Sequence, residues 1–289
     1  MNELVNLREA ALRLLGGARG AETLNGESPP GGGSTDLVAA LETGLRALKN
    51  AAISADGAHV DYGALKASAA YAAYRAEIAA RLPSFNPASL ASRDERLAFW
   101  INLYNALILD AVVAYEVRGS VTKAGPALGF FRRAAYIVGG QRLSADDIEH
   151  GVLRSNAGNP YLPGPQFAPG DPRAAWVITP IDPRIHCALN CASRSCPPIA
   201  AYSAARMDAQ LELAARAFID ADTTIDERRG VLHVSTIFQW YRADFGGLEG
   251  VVRFVCAHLP PSDPRRRWIE SRAEVDLAFK PYDWALNTP

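Results

Sequence analysis

Residues 184–199, RIHCALNCASRSCPPI, hold three of the chain's four cysteines and one of its five histidines. Those residue types at that density support four chemistries: a thiol nucleophile, a zinc site, a disulfide, or a packed structural turn. A catalytic thiol needs a base or cation nearby to favour the thiolate, and His186 and Arg194 are the candidates. Asn190 is the candidate to orient the imidazole. Zinc would take His186, Cys191 and Cys196, but the spacing is unlike the usual C-x2-C knuckle and a fourth ligand must come from elsewhere. No structural metal is therefore expected.

Read as a strand, 184–190 alternates, with His186, Ala188 and Asn190 on one face and Ile185, Cys187 and Leu189 on the other. Cys187 then belongs to a core, as does Cys256 beside the buried face of its helix. A Cys187–Cys191 disulfide is excluded, because four residues of strand hold the Cα atoms ~13 Å apart, about twice the reach of the bond. Cys191 and Cys196 bracket the polar ASRS, which can turn the chain back. These two could meet as a disulfide, or either could approach His186. Cys196 is the preferred nucleophile, since it follows a polar turn and precedes Pro197 and Pro198, which hold it rigidly.

The elements that must position this segment are legible on either side. SRDERLAFWINLYNALILDAVVAY opens with Ser92 and Glu95 in capping-box spacing, and apolar residues then surround the helix. Asn102 and Asn105 lie in that apolar surface on neighbouring turns. Buried amides without partners cost ~1–3 kcal/mol each, so both are expected to meet the polar 184–196 segment. RAAYIVGGQRLSADDIEHGVLR reads as a strand, a Gly139–Gly140 turn, a second strand, and a helix capped by Ser144. AAWVITPI, PRIHCALN and RRGVLHVSTIF read as strands. Helices follow over SAARMDAQLELAARAFID, with Met207, Leu211, Ala214 and Phe218 on one face, and LEGVVRFVCAHL, with Leu248, Val252, Val255 and Leu259 inward. The 156–172 loop, rich in Pro and Gly, is long enough to cover a site.

Near the start, Leu4, Leu7, Ala11 and Leu14 recur at helical spacing, and 16–35 is a Gly/Ser/Pro-rich linker or tail. Leu37, Leu41, Leu45 and Leu48 then begin the main body as one face of a helix. The predicted organisation is residues 1–35 as an N-terminal helix and flexible segment, and 36–289 as a single helix-rich α+β domain with a small mixed or antiparallel sheet.

A formal net charge of -1 over 289 residues argues against a general nucleic-acid binder. The arginines at 265–267 read as a solvated turn. No stretch approaches the ~20 apolar residues of a membrane span, and no apolar signal core opens the chain, which favours the cytoplasm as the expected location. Four cysteines do not make a disulfide scaffold.

Together, ERLAFWINLYNALILDAVV, LSADDIEHGVLR, DPRIHCALNCASRSCPPI, VSTIFQWYRADFG and YDWALN resemble the bacterial and plant domain of unknown function 547 family, in order, from about Val60 to Asn287. The resemblance implies one domain over most of the chain, and it places Asn102, Tyr104, Asn105, Glu149, His186, Asn190, Cys191, Cys196 and Asp244 in the family pattern. It brings no reaction with it. A buried central helix followed by a histidine strand with nearby Cys and Asn is also similar, at the level of fold, to papain- and transglutaminase-like thiol enzymes. Their cysteine heads the central helix, whereas no cysteine lies in or before 93–115 here.

The leading expectation is a thiol-dependent hydrolase or acyl transferase. Cys196 would be the nucleophile, His186 the base, and Asn190 or Asn102 the orienting amide. Asn105, Cys191, Arg194 and Glu149 complete the candidate site. No cofactor is called for, and the ligand would be a small molecule or peptide. The alternative is a non-catalytic binding domain braced by the same Cys/His cluster.

Overall fold

The computed structural model describes residues 22–26, 37–124 and 129–289. The helix expected over Leu4–Leu14 and most of the 16–35 segment lie outside the described residues. Within 16–35, residues 22–26 dock on the body: Asn25 Nδ2 donates to the carbonyls of Ala79 (2.9 Å) and Ile137 (3.1 Å), and its Oδ1 accepts from Ile137 N.

The chain begins its main body with α1 (Leu37–Ala52), α2 (Tyr62–Ala67), α3 (Ala69–Ala73) and α4 (Arg93–Ala114). The four leucines expected on one face of α1 are its buried residues. The Ser92–Glu95 capping box is present at the head of α4, and every residue from Leu97 to Val113 is buried. By length and hydropathy α4 would fit a bilayer, but 94% of that apolar window is buried inside the protein. It is the central helix of the larger apolar cluster.

After α5 (Gly129–Arg133), β1 (Ala135–Val138) and β2 (Gln141–Ser144) pair antiparallel. Gly139 and Gly140 make the turn with φ of 55° and 75°, the left-handed pair that a two-residue hairpin requires. Asp147–Leu153 then forms a π-helical turn, entered through a reciprocal cap between Ser144 and Asp147. The remaining elements are α6 (Met207–Asp222), β3 (Thr224–Asp226), β4 (Val231–Ser235), α7 (Thr236–Trp240), α8 (Gly247–His258), α9 (Pro264–Glu270) and β5 (Asp276–Lys280). β4 pairs antiparallel with β3 and parallel with β5. A helix-rich α+β domain with two small sheets, one of them mixed, matches the expectation.

Three local readings are corrected. PRIHCALN is not a strand: Pro183–Cys187 is a 3₁₀ turn, started by Pro183 and by Asp182, whose side chain accepts from Arg184 N. A proline at the first helical position behind an aspartate cap outweighs the β-branched Ile185. Strand alternation therefore does not govern the segment, and Ile185, His186 and Cys187 are all buried in succession. AAWVITPI is likewise headed by a 3₁₀ turn, Pro172–Trp176, capped by Asp171. In α8 the inward face is Gly250, Val251 and Val255, leaving Leu248 half-exposed and Val252 only partly buried.

The apolar interior forms two clusters. One surrounds α4 and includes Leu189 and Tyr104. The other gathers Cys187, residues of α6, α7 and α8, and Phe245, with Tyr241 and Tyr282 packed against it. The 182–199 segment runs between them.

Candidate functional site

The 188–197 turn is built by three asparagine and backbone clamps. Asn105 Nδ2 donates to Ala188 O (3.0 Å) and its Oδ1 accepts from Asn190 N (2.9 Å). Asn190 donates to Pro197 O (2.6 Å) and accepts from Ala192 N, closing the loop on itself. Ala192 takes φ of 67° to make the bend. A strap over residues 282–287 then seals the turn, with Arg194 N bonded to Ala285 O and Asn287 N to Ala192 O. Asn105 thus meets the segment it was expected to meet. Asn102 does not, pairing instead with both backbone groups of Tyr202, six residues beyond Cys196. Neither amide reaches the imidazole of His186, nor does Asn190.

The turn and strap bring donors onto one sulfur. Cys196 Sγ accepts from Cys191 N (2.9 Å) and Ser193 Oγ (3.2 Å), and lies 3.2 Å from the Tyr282 hydroxyl. Burial raises the Cys196 thiol, but hydrogen bonds from Cys191, Ser193 and Tyr282 outweigh it and bring the pKa down to about 7. Cys191 moves the other way, pushed well up by burial and by its hydrogen bond to the Cys196 thiolate. Cys187 is also raised by burial, in keeping with a core residue. Arg194 is exposed and engages the strap through its backbone, so the thiolate is stabilised by neutral donors rather than by the guanidinium.

A second group faces the same space. His186 Nε2 lies 2.8 Å from Asp244 Oδ2, and Asp244 is gripped by Arg154 through Nε (2.6 Å) and Nη2 (2.9 Å). Donation from Nε2 to the carboxylate leaves Nδ1 as the basic nitrogen. Burial lowers the His186 pKa despite Asp244, so the ring is neutral near pH 7. Burial would raise Asp244, but His186 and Arg154 hold it down at about 2. Tyr241 stacks on His186 at 4.0 Å and 15°, and its hydroxyl donates to Glu149 Oε1 at 2.6 Å. Burial works against the Glu149 charge, yet His150, Tyr241, His186 and Arg154 together lower its pKa.

Cys191, Cys196, His186, Glu149, Tyr241 and Tyr282 all line one cavity of about 70 Å³, walled by Trp240, Trp284 and Tyr104. At about 10–15 Å³ for each water-sized probe, it holds several waters or a small polar group. It sits where the two apolar clusters meet, a common place for a ligand site. Among the described residues, no hydrogen bond joins His186 to Cys196, and no cluster of three or more His, Cys, Asp or Glu side chains is arranged to hold a metal ion.

Residues 87–219 match the family model described as "Protein of unknown function, DUF547". Over this stretch, a little under half of its length, the chain is similar to the DUF547 family. No curated protein and no solved structure matches the chain. The DUF547 match spans Asn102, Glu149, His186, Asn190, Cys191 and Cys196, while Tyr241 and Tyr282 of the same cavity, and Asp244 bonded to His186, lie beyond it.

Sequence reasoning missed Arg154, His150, Tyr241 and Tyr282. For the first two a signal existed: the run EHGVLR puts Glu149 and Arg154 five apart, which a π turn, with its i→i+5 bonds, brings onto one side. The Arg154 guanidinium then reaches His150 Nδ1 at 3.2 Å. Tyr241 and Tyr282 had no such local signal.

Proposed function

We propose that the chain is a thiol-dependent acyl-transfer enzyme, a hydrolase or transferase, with Cys196 as nucleophile and His186 as the proton acceptor. The observation that supports this reading is the convergence of Cys191 N, Ser193 Oγ and the Tyr282 hydroxyl on one sulfur. Donors so placed favour the thiolate, the form that attacks a carbonyl carbon. The same donors can serve the oxygen that gains charge as the tetrahedral adduct forms. His186, neutral with its proton directed at Asp244, acts in the second half: Nδ1 takes a proton from the incoming water or acceptor, and Asp244 steadies the imidazolium.

A neutral His186 offers no proton at Nδ1 to a departing amine. The favoured substrates are therefore thioesters and aryl esters, whose leaving groups are weak enough bases to depart as anions. Their acyl part would pack against Trp240, Trp284 and Tyr104. The alternative, a binding site without catalysis, is favoured by the missing hydrogen bond between His186 and Cys196.

Incubation with small acyl thioesters, followed by peptide mass spectrometry, tests the proposal. An acyl group on Cys196 that is lost in Cys196→Ala supports it. His186→Ala should let the adduct accumulate, with deacylation slowed about 10²–10⁴-fold, the usual contribution of a positioned base. No adduct on Cys196 across thioesters and aryl esters would leave the binding reading in its place.

A further inference from the structure

We propose that Cys191 is the resolving partner of Cys196, so that a hydroperoxide oxidises Cys196 and Cys191 then closes a reversible disulfide with it. The proposal rests on Cys196 being the reactive thiol of the cavity and adds to it a peroxide-reducing reaction that also switches acyl transfer off. Four observations carry it. All four cysteines are free thiols in this structure. Both clustered sulfurs lie 3.2 Å from the same Tyr282 hydroxyl and 3.2–3.4 Å from the same Ser193 Oγ. Cys191 N is 2.9 Å from Cys196 Sγ, and its Cα is one bond of about 1.46 Å further, which keeps the two Cα atoms close to the range a disulfide spans. Finally, both sulfurs line the cavity, so an oxidant that reaches one reaches the neighbourhood of the other.

The chemistry balances with two partners, a hydroperoxide and an external dithiol. The Cys196 thiolate attacks the terminal peroxide oxygen: an S–O bond forms, the O–O bond breaks, and the departing alkoxide takes the proton the thiol had released. Sulfur loses two electrons and the peroxide becomes an alcohol or water. The Cys191 thiol then attacks the Cys196 sulfenic acid. The S–S bond forms as the S–O bond breaks, and hydroxide leaves with the Cys191 proton as water. A dithiol of the thioredoxin type reduces the bridge by exchange and restores both thiols.

The structure also explains why Cys191, rather than Cys187 or Cys256, should close the bridge. Cys187 packs in the apolar cluster with α6 and α8, and Cys256 lies on α8 beside Glu270. Neither lines the cavity among the described residues. Ser193 and Tyr282 must swing off the sulfurs when the bridge forms, and Tyr282 stands 4.8 Å from Trp240 and 4.6 Å from Trp284. Indole fluorescence should report the change.

The test treats the reduced full chain with a few equivalents of hydrogen peroxide, quenches with an alkylating agent, and maps the products. The expected result is a loss of about 2 Da on the peptide holding Cys191 and Cys196, reversed by dithiothreitol, with a parallel change in tryptophan emission. In Cys191→Ser the same treatment should give Cys196 sulfinic acid instead, because no resolving thiol remains. Sulfinic acid on Cys196 in the wild type, with Cys191 still open to alkylation, overturns the proposal, as does a bridge to Cys187 or Cys256. Acyl transfer is measured on the same reduced sample. An acyl adduct without the 2 Da loss sinks this inference alone, and the 2 Da loss without an adduct sinks only the acyl-transfer reading.

Discussion

The Tyr282 hydroxyl stands 3.2 Å from Cys196 Sγ, carried there by a strap that is itself bonded to the cysteine turn at Arg194 and Ala192. The acidity of the thiol is thus a tertiary property, made by a residue 86 positions away. That relationship makes the thiol's titration the most direct measure of the site.

Alkylation of Cys196 should follow a single inflection near the pKa of about 7. Above it the thiolate predominates and the rate is flat; below it the rate falls about tenfold per pH unit. Tyr282→Phe and Ser193→Ala should each move the inflection up, toward the ~8.5 of an unperturbed thiol. His186→Ala should leave it nearly in place, because no hydrogen bond joins the two among the described residues. A large upward shift in His186→Ala would restore the dyad that the sequence suggested.

Asn105→Leu should destabilise the fold by about 1–3 kcal/mol for each backbone group it strands, Ala188 O and Asn190 N. Urea denaturation reads this as a lower midpoint. An unchanged midpoint would mean that water replaces the amide at no cost.

Acid should weaken the protein through Asp244. Its folded pKa of about 2 is below the unfolded value of about 3.8, so its contribution is fully present above that unfolded value and lost as pH falls through about 2. The size is on the order of 2 kcal/mol, from about 1.4 kcal/mol per pKa unit. His186, also depressed by burial, adds a loss in the same direction that begins as pH falls below about 6.5. Denaturation midpoints for wild type and Asp244→Asn between pH 7 and 3 check the sign. Asp244→Asn should start lower and lose less below pH 4.

Gly151→Ala should be costly although it lies in a helical turn. A Cβ there would meet the Phe167 ring at 2.3 Å and 2.4 Å, and that ring is buried. Overpacking of this kind costs about 1–3 kcal/mol. Since the turn carries Glu149 and Arg154, the Tyr241 and Asp244 contacts should loosen too, readable as faster hydrogen exchange over 147–154.

The parts of the fold that were legible are those with local causes. Ser92 and Glu95 announce α4, Gly139–Gly140 the hairpin, and Leu37 to Leu48 the face of α1. PRIHCALN departs from the strand expectation because Pro183 and the Asp182 cap together outweigh the β-branched Ile185. Leu248 was misplaced because the α8 stripe is set by Val251 and Val255. In the site, the cysteines and His186 stand out by composition. The partners that tune them, Tyr282 and Asp244, are joined by contacts across 58 to 91 positions, which no local pattern records.

The strap has a consequence for the order in which the protein is made. Cys196 is translated 86 residues before Tyr282. At about 5–20 residues per second, the cysteine spends roughly 4–17 s on the growing chain as an ordinary thiol. Its reactivity arrives only with the strap, the same segment that completes the cavity wall through Tyr282 and Trp284.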